Sequence, residues 1–274
     1  MFFITLSKFT IFNISKTCLK HVKKCYSIFG IKDLLNQEKF ENFTIVPVTS
    51  EYHAPAMDII KRHFLSEHVL VRARCMDLSN DRALDEYLIS LFIQGNTLLA
   101  KTDDDKIVGI CVGFASSPVD PRNLQNYAFY RQDPNTKDFL SFTAKLQETP
   151  NLWDIFKQQK IYEIRMLTVV PEYRRQGLAV LLTERSKEQA HDQGYKILRM
   201  DCINSYDYKI AERCILQCLV KFPLHKLRGT NASYIRRSSK YNRCVRVYVQ
   251  ARLEDTPDRE TVKQRSIELE NVME

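Results

Sequence analysis

One stretch of the chain, residues 161–194, constrains the fold more than any other. Ile161 to Val170 is an apolar, β-prone run, and it ends at Pro171, which cannot donate to a β-ladder. A helical pattern follows from about Gly177 to Gln193, and Gly194 fits the position just after the helix. The sequence therefore predicts a strand, a short polar loop and an amphipathic helix in immediate succession.

The loop in this unit has the composition of a diphosphate-binding site. Backbone N–H groups at the start of a helix lack partners within the helix, and the helix dipole adds partial positive charge there. Gly177 and Ala179 allow a ligand to approach the backbone closely, and Arg174 and Arg175 can add charge-assisted contacts. We therefore expect a phosphorylated ligand at this loop, with an ordinary strand–turn–helix corner as the alternative.

The rest of the chain alternates between β-prone and helical segments, which favours a single α/β (α+β) domain over residues 41–253. The other predicted strands are Phe43 to Val48, Thr97 to Thr102, Ile107 to Phe114, Lys196 to Ile203, Cys218 to Phe222 and Cys244 to Ala251. The other predicted helices are Ala54 to Phe64, Arg82 to Gln94 and Asp207 to Gln217. Residues 115–155 contain four prolines and are expected to form a long insertion or a substrate-facing segment, with a helix near Lys137 to Gln147 and with disorder as the alternative.

The distribution of charge argues against a nucleic-acid-binding protein. Residues 1–32 contain six lysines and no acidic residue, so they carry most of the formal net charge of +8. A nucleic-acid binder should instead have a basic stripe on its folded domain. No apolar run reaches the ~20 residues that a membrane-spanning helix needs. We therefore predict neither a polynucleotide partner nor a membrane span.

Two terminal segments are expected to lie outside the domain. Residues 1–40 form a basic leader, which is either a targeting segment or a disordered extension. The absence of acidic residues from its first part suits a mitochondrial presequence, whereas the absence of arginine does not. We expect a cytoplasmic protein, with a mitochondrial one as the alternative. Residues 254–274 are predicted to form a charged tail.

The eight cysteines include no CxxC pair and show no Cys/His spacing typical of zinc. Free, mostly buried thiols are the simplest interpretation, and no metal site is predicted.

The loop resembles the acyl-CoA-binding motif of the GNAT superfamily, usually written Gln/Arg-x-x-Gly-x-Gly/Ala, here Arg174, Gly177 and Ala179. The resemblance covers about residues 43–253 and is closest to the insect-type arylalkylamine N-acetyltransferase-like branch. It implies a mixed, mostly antiparallel sheet with flanking helices and a splayed central strand pair. The supporting stretches are Phe64 to Glu67, Leu84 to Gly95, Lys106 to Gly109 and Leu219 to Leu224.

This resemblance implies acetyl-CoA as co-substrate. It places the Val169 amide near the thioester carbonyl, where a backbone N–H can stabilise an oxyanion. The residues that it implies for acetyl-CoA binding are Leu167, Thr168, Val169, Arg174, Arg175, Gln176, Gly177, Leu178 and Ala179.

The acid–base groups follow the family less closely. An alkylamine is mostly protonated at neutral pH, so a carboxylate must remove a proton before attack, and Glu67 matches the family's glutamate for that role. Tyr206 and Tyr208 are candidates for protonating the leaving thiolate. The serines expected in insect-type enzymes are replaced by Ile203 and Asp207.

A second departure lies at the end of the same helix. The Gly-Phe pair that usually ends it reads Ile215-Leu216.

The resulting hypothesis is a monomeric N-acetyltransferase that transfers acetyl from acetyl-CoA to a small primary amine, such as an arylalkylamine, without a metal. Two alternatives remain open. One is an acyltransferase for polyamine, amino-acid or protein amines, and the other is a catalytically silent CoA-binding module.

Overall fold

A seven-stranded mixed sheet runs through residues 43–228 and 242–252, which are the residues that the computed structural model describes. Its order is β1-β2-β3-β4-β5-β7-β6, and every neighbouring pair is antiparallel except β4 and β5. The predicted fold class is therefore confirmed. The strands are β1 Thr44–Pro47, β2 Leu98–Lys101, β3 Ile107–Ser116, β4 Ile161–Val169, β5 Ile197–Cys202, β6 Gln217–Pro223 and β7 Cys244–Ala251.

The parallel pair β4 and β5 separates soon after it forms. The two strands pair only where Tyr162, Glu163 and Ile164 face residues 198–200. Beyond this point β4 continues to Val169 without a partner on its β5 side. On its other side β4 stays paired with β3, whose register shifts between Val112 and Gly113. The splayed central pair is thus present, and it opens a gap in the middle of the sheet.

Helices cover both faces of this sheet. One face packs under α1, α3 and α5, and the other packs under α7 and α8. Gly109 on β3 permits the close approach of α7, because a Cβ there would lie 2.9 Å from a methyl carbon of Leu182. The helices are α1 His53–Ile59, α2 Val69–Arg74, α3 Arg82–Ile93, α4 Asp120–Phe129, α5 Pro134–Glu148, α6 Leu152–Ile155, α7 Leu178–Asp192, α8 Ser205–Arg213 and α9 His225–Arg228.

The predicted helix ends of α3 and α7 are confirmed. The carboxylate of Asp81 accepts a hydrogen bond from the Leu84 amide at 3.0 Å and so caps α3. Gly95 and Gly194 follow the two helices in the left-handed conformation, which glycine adopts without steric cost.

Residues 115–155 differ from the expected long insertion, because most of them are helical, in α4, α5 and α6. Their prolines do not interrupt these helices. Pro121 and Pro134 lie in first turns, where the missing N–H is not needed and the fixed φ suits a helix. Asp133 caps α5 through the Thr136 amide at 2.7 Å. The predicted helix near residues 137–147 is confirmed as the central part of α5.

Two predicted helices have different ends in the structure. The last turn of the helix predicted at residues 54–64 is a π-helix, Ile60–Phe64. The helix predicted at Asp207 to Gln217 begins earlier, at Ser205, and ends at Arg213. It cannot continue because Ile215 adopts the left-handed conformation, with φ +59°, and its side chain is 85% exposed. Ile215 therefore stands where a glycine would fit without strain.

Within the described residues, no helix is long and apolar enough to cross a membrane. The predicted leader, the predicted tail and the basic residues 236–240 fall outside the residues that the structure describes.

We expect Ile215→Gly to raise the free energy of unfolding by about 1 kcal/mol, because a β-branched residue is strained at positive φ and glycine is not. Urea denaturation of the two proteins would measure this difference. Ile215→Ala is the matched control: it also removes the exposed side chain but keeps a Cβ, so it should give a smaller gain. An equal gain in both variants would contradict the backbone explanation.

Candidate active site

The end of β4 presents unpaired backbone groups to the gap. The Val170 amide donates to the Val108 carbonyl at 2.9 Å, so this pair is of the hydrogen-bonded type. Because such pairs alternate along an antiparallel ladder, the peptide groups of Val169 and Leu167 point away from β3, and those of Thr168 point toward it. β5 has already diverged here. The N–H and C=O groups of Val169 and Leu167 therefore border the gap.

The loop after β4 ends in a second set of unpaired donors. Gly177 is the N-terminal cap of α7 with φ +82°, and a Cβ built there would meet nothing within 4 Å. The first bond of α7 runs from the Leu181 amide to the Gly177 carbonyl at 3.0 Å. The N–H groups of Leu178 and Ala179 thus have no acceptor within the helix. Together they form an open anion site at a helix N-terminus.

Two further residues of this loop are unusual, one in its backbone conformation and one in its side-chain hydrogen bonding. Arg175 is exposed and left-handed, with φ +68°. The buried side-chain oxygen of Gln176 has no hydrogen-bond partner among the described residues.

Arg174 connects the loop to Glu67. Its Nε donates to the Val169 carbonyl at 2.9 Å, and its Nη2 lies 3.0 Å from the Glu67 carboxylate. Glu67 ends the short 3₁₀ turn that precedes α2, and its side chain is largely exposed. An exposed pair of this kind contributes little to stability. Its effect is instead to hold the Glu67 carboxylate beside the end of β4.

A cavity of about 70 Å³ lies at the gap between β4 and β5. Met166 and Leu167 line it from β4, and Ile203 and Asp207 line it from the segment after β5. Its aromatic lining residues are Phe64, Tyr87, Phe139 and Phe142, and its acidic ones are Glu163, Asp201 and Asp207. Aromatic rings and carboxylates together suit a small organic cation.

Asp207 is one of the acidic residues that line this cavity. Asn204 caps α8 through the amides of Tyr206 and Asp207, and its side-chain amide donates to Asp207 Oδ2 at 2.5 Å. Burial raises the pKa of Asp207 to about 7, the nearby charge of Glu67 adds to this rise, and the Asn204 hydrogen bond opposes it. Asp207 therefore gains or loses a proton close to neutral pH.

The two tyrosines singled out in the sequence do not line this cavity. Tyr206 is 75% exposed at the surface of α8. Tyr208 is buried in the core, and its hydroxyl donates to the Cys244 carbonyl at 2.5 Å, with Arg246 4.2 Å above its ring. The hydroxyl of Tyr208 is therefore already engaged in the fold.

A buried polar network forms the floor of the cavity. Glu163 accepts hydrogen bonds from Ser116 at 2.7 Å, Gln147 at 3.1 Å and Arg165 at 3.1 Å. Arg165 also donates to the Tyr87 hydroxyl at 3.3 Å. Among the described residues, Arg165 Nη2 and Gln147 Oε1 have no partner. The sequence signal for this network was the pair of charged residues inside an otherwise apolar strand, which the sequence analysis did not use.

A second cavity, of about 330 Å³, adjoins the first, and Tyr87, Gln147 and Arg165 line both. Its other walls come from α3, β3 and α4, including Tyr127. Phe129 lies beside Tyr127 in the sequence but is exposed and lines neither cavity. The same holds for Tyr130, so only one of the three aromatic residues at the end of α4 faces a cavity.

His68 also lines the first cavity, although no pattern in the sequence marked it as a site residue. Its ring packs against Phe139 and Phe142, with centroids 5.2 and 5.8 Å away. Its Nδ1 accepts a hydrogen bond from the Leu70 amide at 3.3 Å and so caps α2. Burial lowers the pKa of His68 to about 4, so the ring is neutral at physiological pH.

We expect His68 to make the fold sensitive to acid. A histidine with a lowered pKa in the folded state binds fewer protons there than in the unfolded state. The free energy of unfolding therefore falls as the pH drops from about 6.5 toward 4, by a few kcal/mol in all. His68→Asn keeps an N-cap but cannot titrate, and it should lose this part of the slope. Urea denaturation of both proteins between pH 7.5 and 4.5 tests this, and parallel curves would contradict it.

Within the part of the chain that the structure describes, no group of three or more His, Cys, Asp or Glu residues could hold a metal ion. The buried cysteines Cys111, Cys202 and Cys214 carry free thiols.

Comparison with known families matches residues 70–211, just over half of the chain, to the GNAT family of acetyltransferases. The chain therefore belongs to this family, in agreement with the splayed strand pair and the glycine loop before α7. The family normally uses acetyl-CoA.

Two solved structures illustrate the similarity. A mosquito arylalkylamine N-acetyltransferase-like protein, 5b, superposes with a TM-score of 0.69 at 18% identity, over 77% of this chain and 100% of its own. A Drosophila melanogaster polyamine N-acetyltransferase, which forms N-acetylagmatine, superposes with a TM-score of 0.68 at 18% identity, over 77% of this chain and 100% of its own. At this identity the similarity establishes a common fold.

Proposed function

We propose that the chain is an N-acetyltransferase that transfers acetyl from acetyl-CoA to a small primary amine. The observation that carries this proposal is one continuous path. It runs from the unpaired amides at the start of α7, along the unpaired edge of β4, into the cavity between β4 and β5. A diphosphate, an extended amide-bearing arm and a thioester each match one part of this path.

The proposed binding of acetyl-CoA follows from the donors available. The N–H groups of Leu178 and Ala179 would hold the diphosphate, with Gly177 leaving room for it. Arg175 would add a charge-assisted contact from the loop, and Gln176 would add one through its side-chain NH2 group.

The pantetheine arm carries two amides, which can pair with the unpaired backbone groups of Leu167 as an added strand would. The Val169 carbonyl already accepts a hydrogen bond from Arg174, and the Val169 N–H stays available for the thioester. The peptide groups of Thr168 point toward β3. Thr168 would therefore contribute by keeping the unpaired edge of β4 straight.

The proposed chemistry needs a base, a hydrogen-bond donor for the oxyanion and a group that holds these two in position. Glu67 would remove a proton from the bound ammonium, directly or through a water molecule. The Val169 amide, which has no strand partner, would stabilise the oxyanion formed when the amine attacks the thioester carbonyl. Arg174, which bonds to both Val169 and Glu67, would hold these two groups in register.

The lining of the cavity supports a small aromatic amine as the acceptor. Four aromatic side chains surround the space next to the proposed thioester site, and the adjoining second cavity offers room for a longer acceptor. Two of the three acidic lining residues, Glu163 and Asp201, are already paired with Arg165 and Arg199. Polyamines are the second class to test, because a polyamine N-acetyltransferase shares this fold. A panel of arylalkylamines, polyamines and amino-acid amines, each with acetyl-CoA and a longer acyl-CoA, separates these classes by their kcat/KM.

We expect Gly177→Glu to weaken acetyl-CoA binding by about tenfold or more, since a carboxylate at the helix N-terminus would repel the diphosphate. Isothermal titration calorimetry measures the affinity directly.

Gly194→Glu is the matched control, because Gly194 has the same left-handed conformation and open surroundings at the other end of α7. Both substitutions should cost about 1–2 kcal/mol of stability through backbone strain. Only the first should affect binding. Equal binding losses in both would place the cofactor elsewhere.

We expect Glu67→Gln to lower kcat/KM for the amine by about 100-fold, because the general base is lost while the side-chain shape is kept. The affinity for acetyl-CoA should change little. Thiol release from acetyl-CoA provides the rate. Glu188→Gln, at an exposed ion pair on α7, is the matched control and should behave as the wild type. Binding of acetyl-CoA without turnover of any amine by the wild type would instead favour a silent CoA-binding module.

A further inference from the structure

Asp207 occupies the side of the gap that faces β4. It lies in the first turn of α8, which begins just after β5 has separated from β4. It lines the same cavity as Met166 and Leu167, at the unpaired edge where the proposed function places the thioester. Ile203 lies beside it in the cavity wall and has no proton to give.

One oxygen of the Asp207 carboxyl group is held and the other is not. Oδ2 accepts a hydrogen bond from the Asn204 side chain at 2.5 Å. Within residues 43–228 and 242–252, no group donates a hydrogen bond to Oδ1. Because Asn204 also caps the helix through two amides, it fixes the orientation of Asp207 as well as that of the helix start. Oδ1 is therefore the oxygen that is free to carry the proton.

The surroundings of Asp207 favour its protonated form. Burial raises its pKa to about 7, and the Glu67 carboxylate raises it further as a like charge. Glu67 itself is paired with Arg174, so the two carboxyl groups differ in their partners. Among the other groups nearby, His68 is neutral and Asp201 is paired with Arg199 at 2.8 Å. The groups that interact electrostatically with Asp207 are Glu67, Cys202 and Tyr208. The other titratable or charged side chains that line its cavity are His68, Tyr87, Glu163, Arg165, Arg199 and Asp201.

We propose that Asp207 is the acid that protonates the departing CoA thiolate, in place of the two tyrosines suggested by the sequence. This inference rests on the proposed acetyl transfer. Tyr208 is committed to the Cys244 carbonyl, and Tyr206 is exposed on the outside of α8. Asp207 is the proton-bearing group that α8 presents to the cavity.

The protons balance as follows. The bound ammonium loses one proton to Glu67, which passes it to solvent, and the neutral amine forms a C–N bond to the thioester carbon. The C–S bond then breaks, and the thiolate takes the proton from Asp207. The nitrogen retains one surplus proton, which the Asp207 carboxylate takes up, so that Asp207 ends protonated as it began. The sum is an amide, free CoA thiol and one proton in solution.

This assignment fixes the direction of the pH dependence. An acid with a pKa of about 7 can protonate a thiolate whose thiol has a pKa near ~8.5. Asp207 is protonated below about pH 7 and ionised above it. The rate of acetyl transfer should therefore fall as the pH rises through the pKa of Asp207, even though deprotonation of the amine improves over the same range.

The test is the single-turnover rate of amide formation between pH 5.5 and 9.5, with enzyme in excess over acetyl-CoA and with an amine that the wild type accepts. Single turnover excludes product release from the measurement. We expect the wild-type rate to fall above about pH 7. Asp207→Asn should be slower by about 10- to 100-fold below pH 7 and should lack the falling limb. Its affinity for acetyl-CoA should be unchanged.

Two further variants keep the interpretation clear. Asp207→Ser retains a hydroxyl proton and should recover part of the rate, without the limb near pH 7. Asp192→Asn removes an exposed carboxylate at the end of α7 and should match the wild type throughout. Thermal unfolding of each variant shows that a slow enzyme is still a folded one.

Three results would overturn the inference. The first is a falling limb that persists in Asp207→Asn, and the second is a rate of this variant within twofold of the wild type. The third is a wild-type rate that rises near pH 7 and loses this rise in Asp207→Asn, since Asp207 would then act as a base. Failure of the proposed function would already be visible in the wild type, which would bind acetyl-CoA but acetylate no amine. The reaction in which Asp207 would act would then be absent.

Discussion

The early separation of β4 from β5 is the constraint on which the rest of the structure depends. Backbone N–H and C=O groups inside a sheet normally find partners, and leaving them unpaired away from water is costly. Here the peptide groups of Leu167 and Val169 lose their neighbour because β5 pairs with β4 over only three residues. A ligand bound in the gap would offset this cost by supplying the missing hydrogen-bond partners. The ends of both strands then carry the site, since the loop to α7 follows one and α8 follows the other.

A buried arginine on β5 holds the C-terminal end of α5 next to the gap. Arg199 on β5 is almost wholly buried, and its guanidinium donates to the carbonyls of Gln147 and Pro150 at 2.5 and 3.0 Å. It also reaches the carbonyls of Leu146 and Thr149 at the C-terminal end of α5, where a cation is favoured by the helix dipole. α5 contributes Phe139 and Phe142 to the cavity wall. One arginine thus fixes both the helix and the aromatic wall that the acceptor would meet.

The sequence predicted the strand–loop–helix unit better than the walls of the cavity. β4, the loop and α7 are contiguous, so their spacing and the glycine at the helix start were sufficient. The walls of the cavity come from segments far apart in the chain, and no local pattern reveals that His68 meets Phe139. The prolines in residues 115–155 were misleading, since proline in a first turn begins a helix as readily as it interrupts one.

Asp207 shows why a departure from a family pattern needs the fold to interpret it. In the sequence it was only a residue standing where a serine was expected, while Tyr208 was the more familiar candidate. In the structure Tyr208 is buried in the core and its hydroxyl donates to a carbonyl of β7, whereas Asp207, about 100° away around the helix, lines the cavity. Two carboxyl groups then flank the proposed reaction site in different surroundings, one held by a guanidinium and one by a neutral amide. Different surroundings are what allow chemically similar groups to take opposite roles in proton transfer.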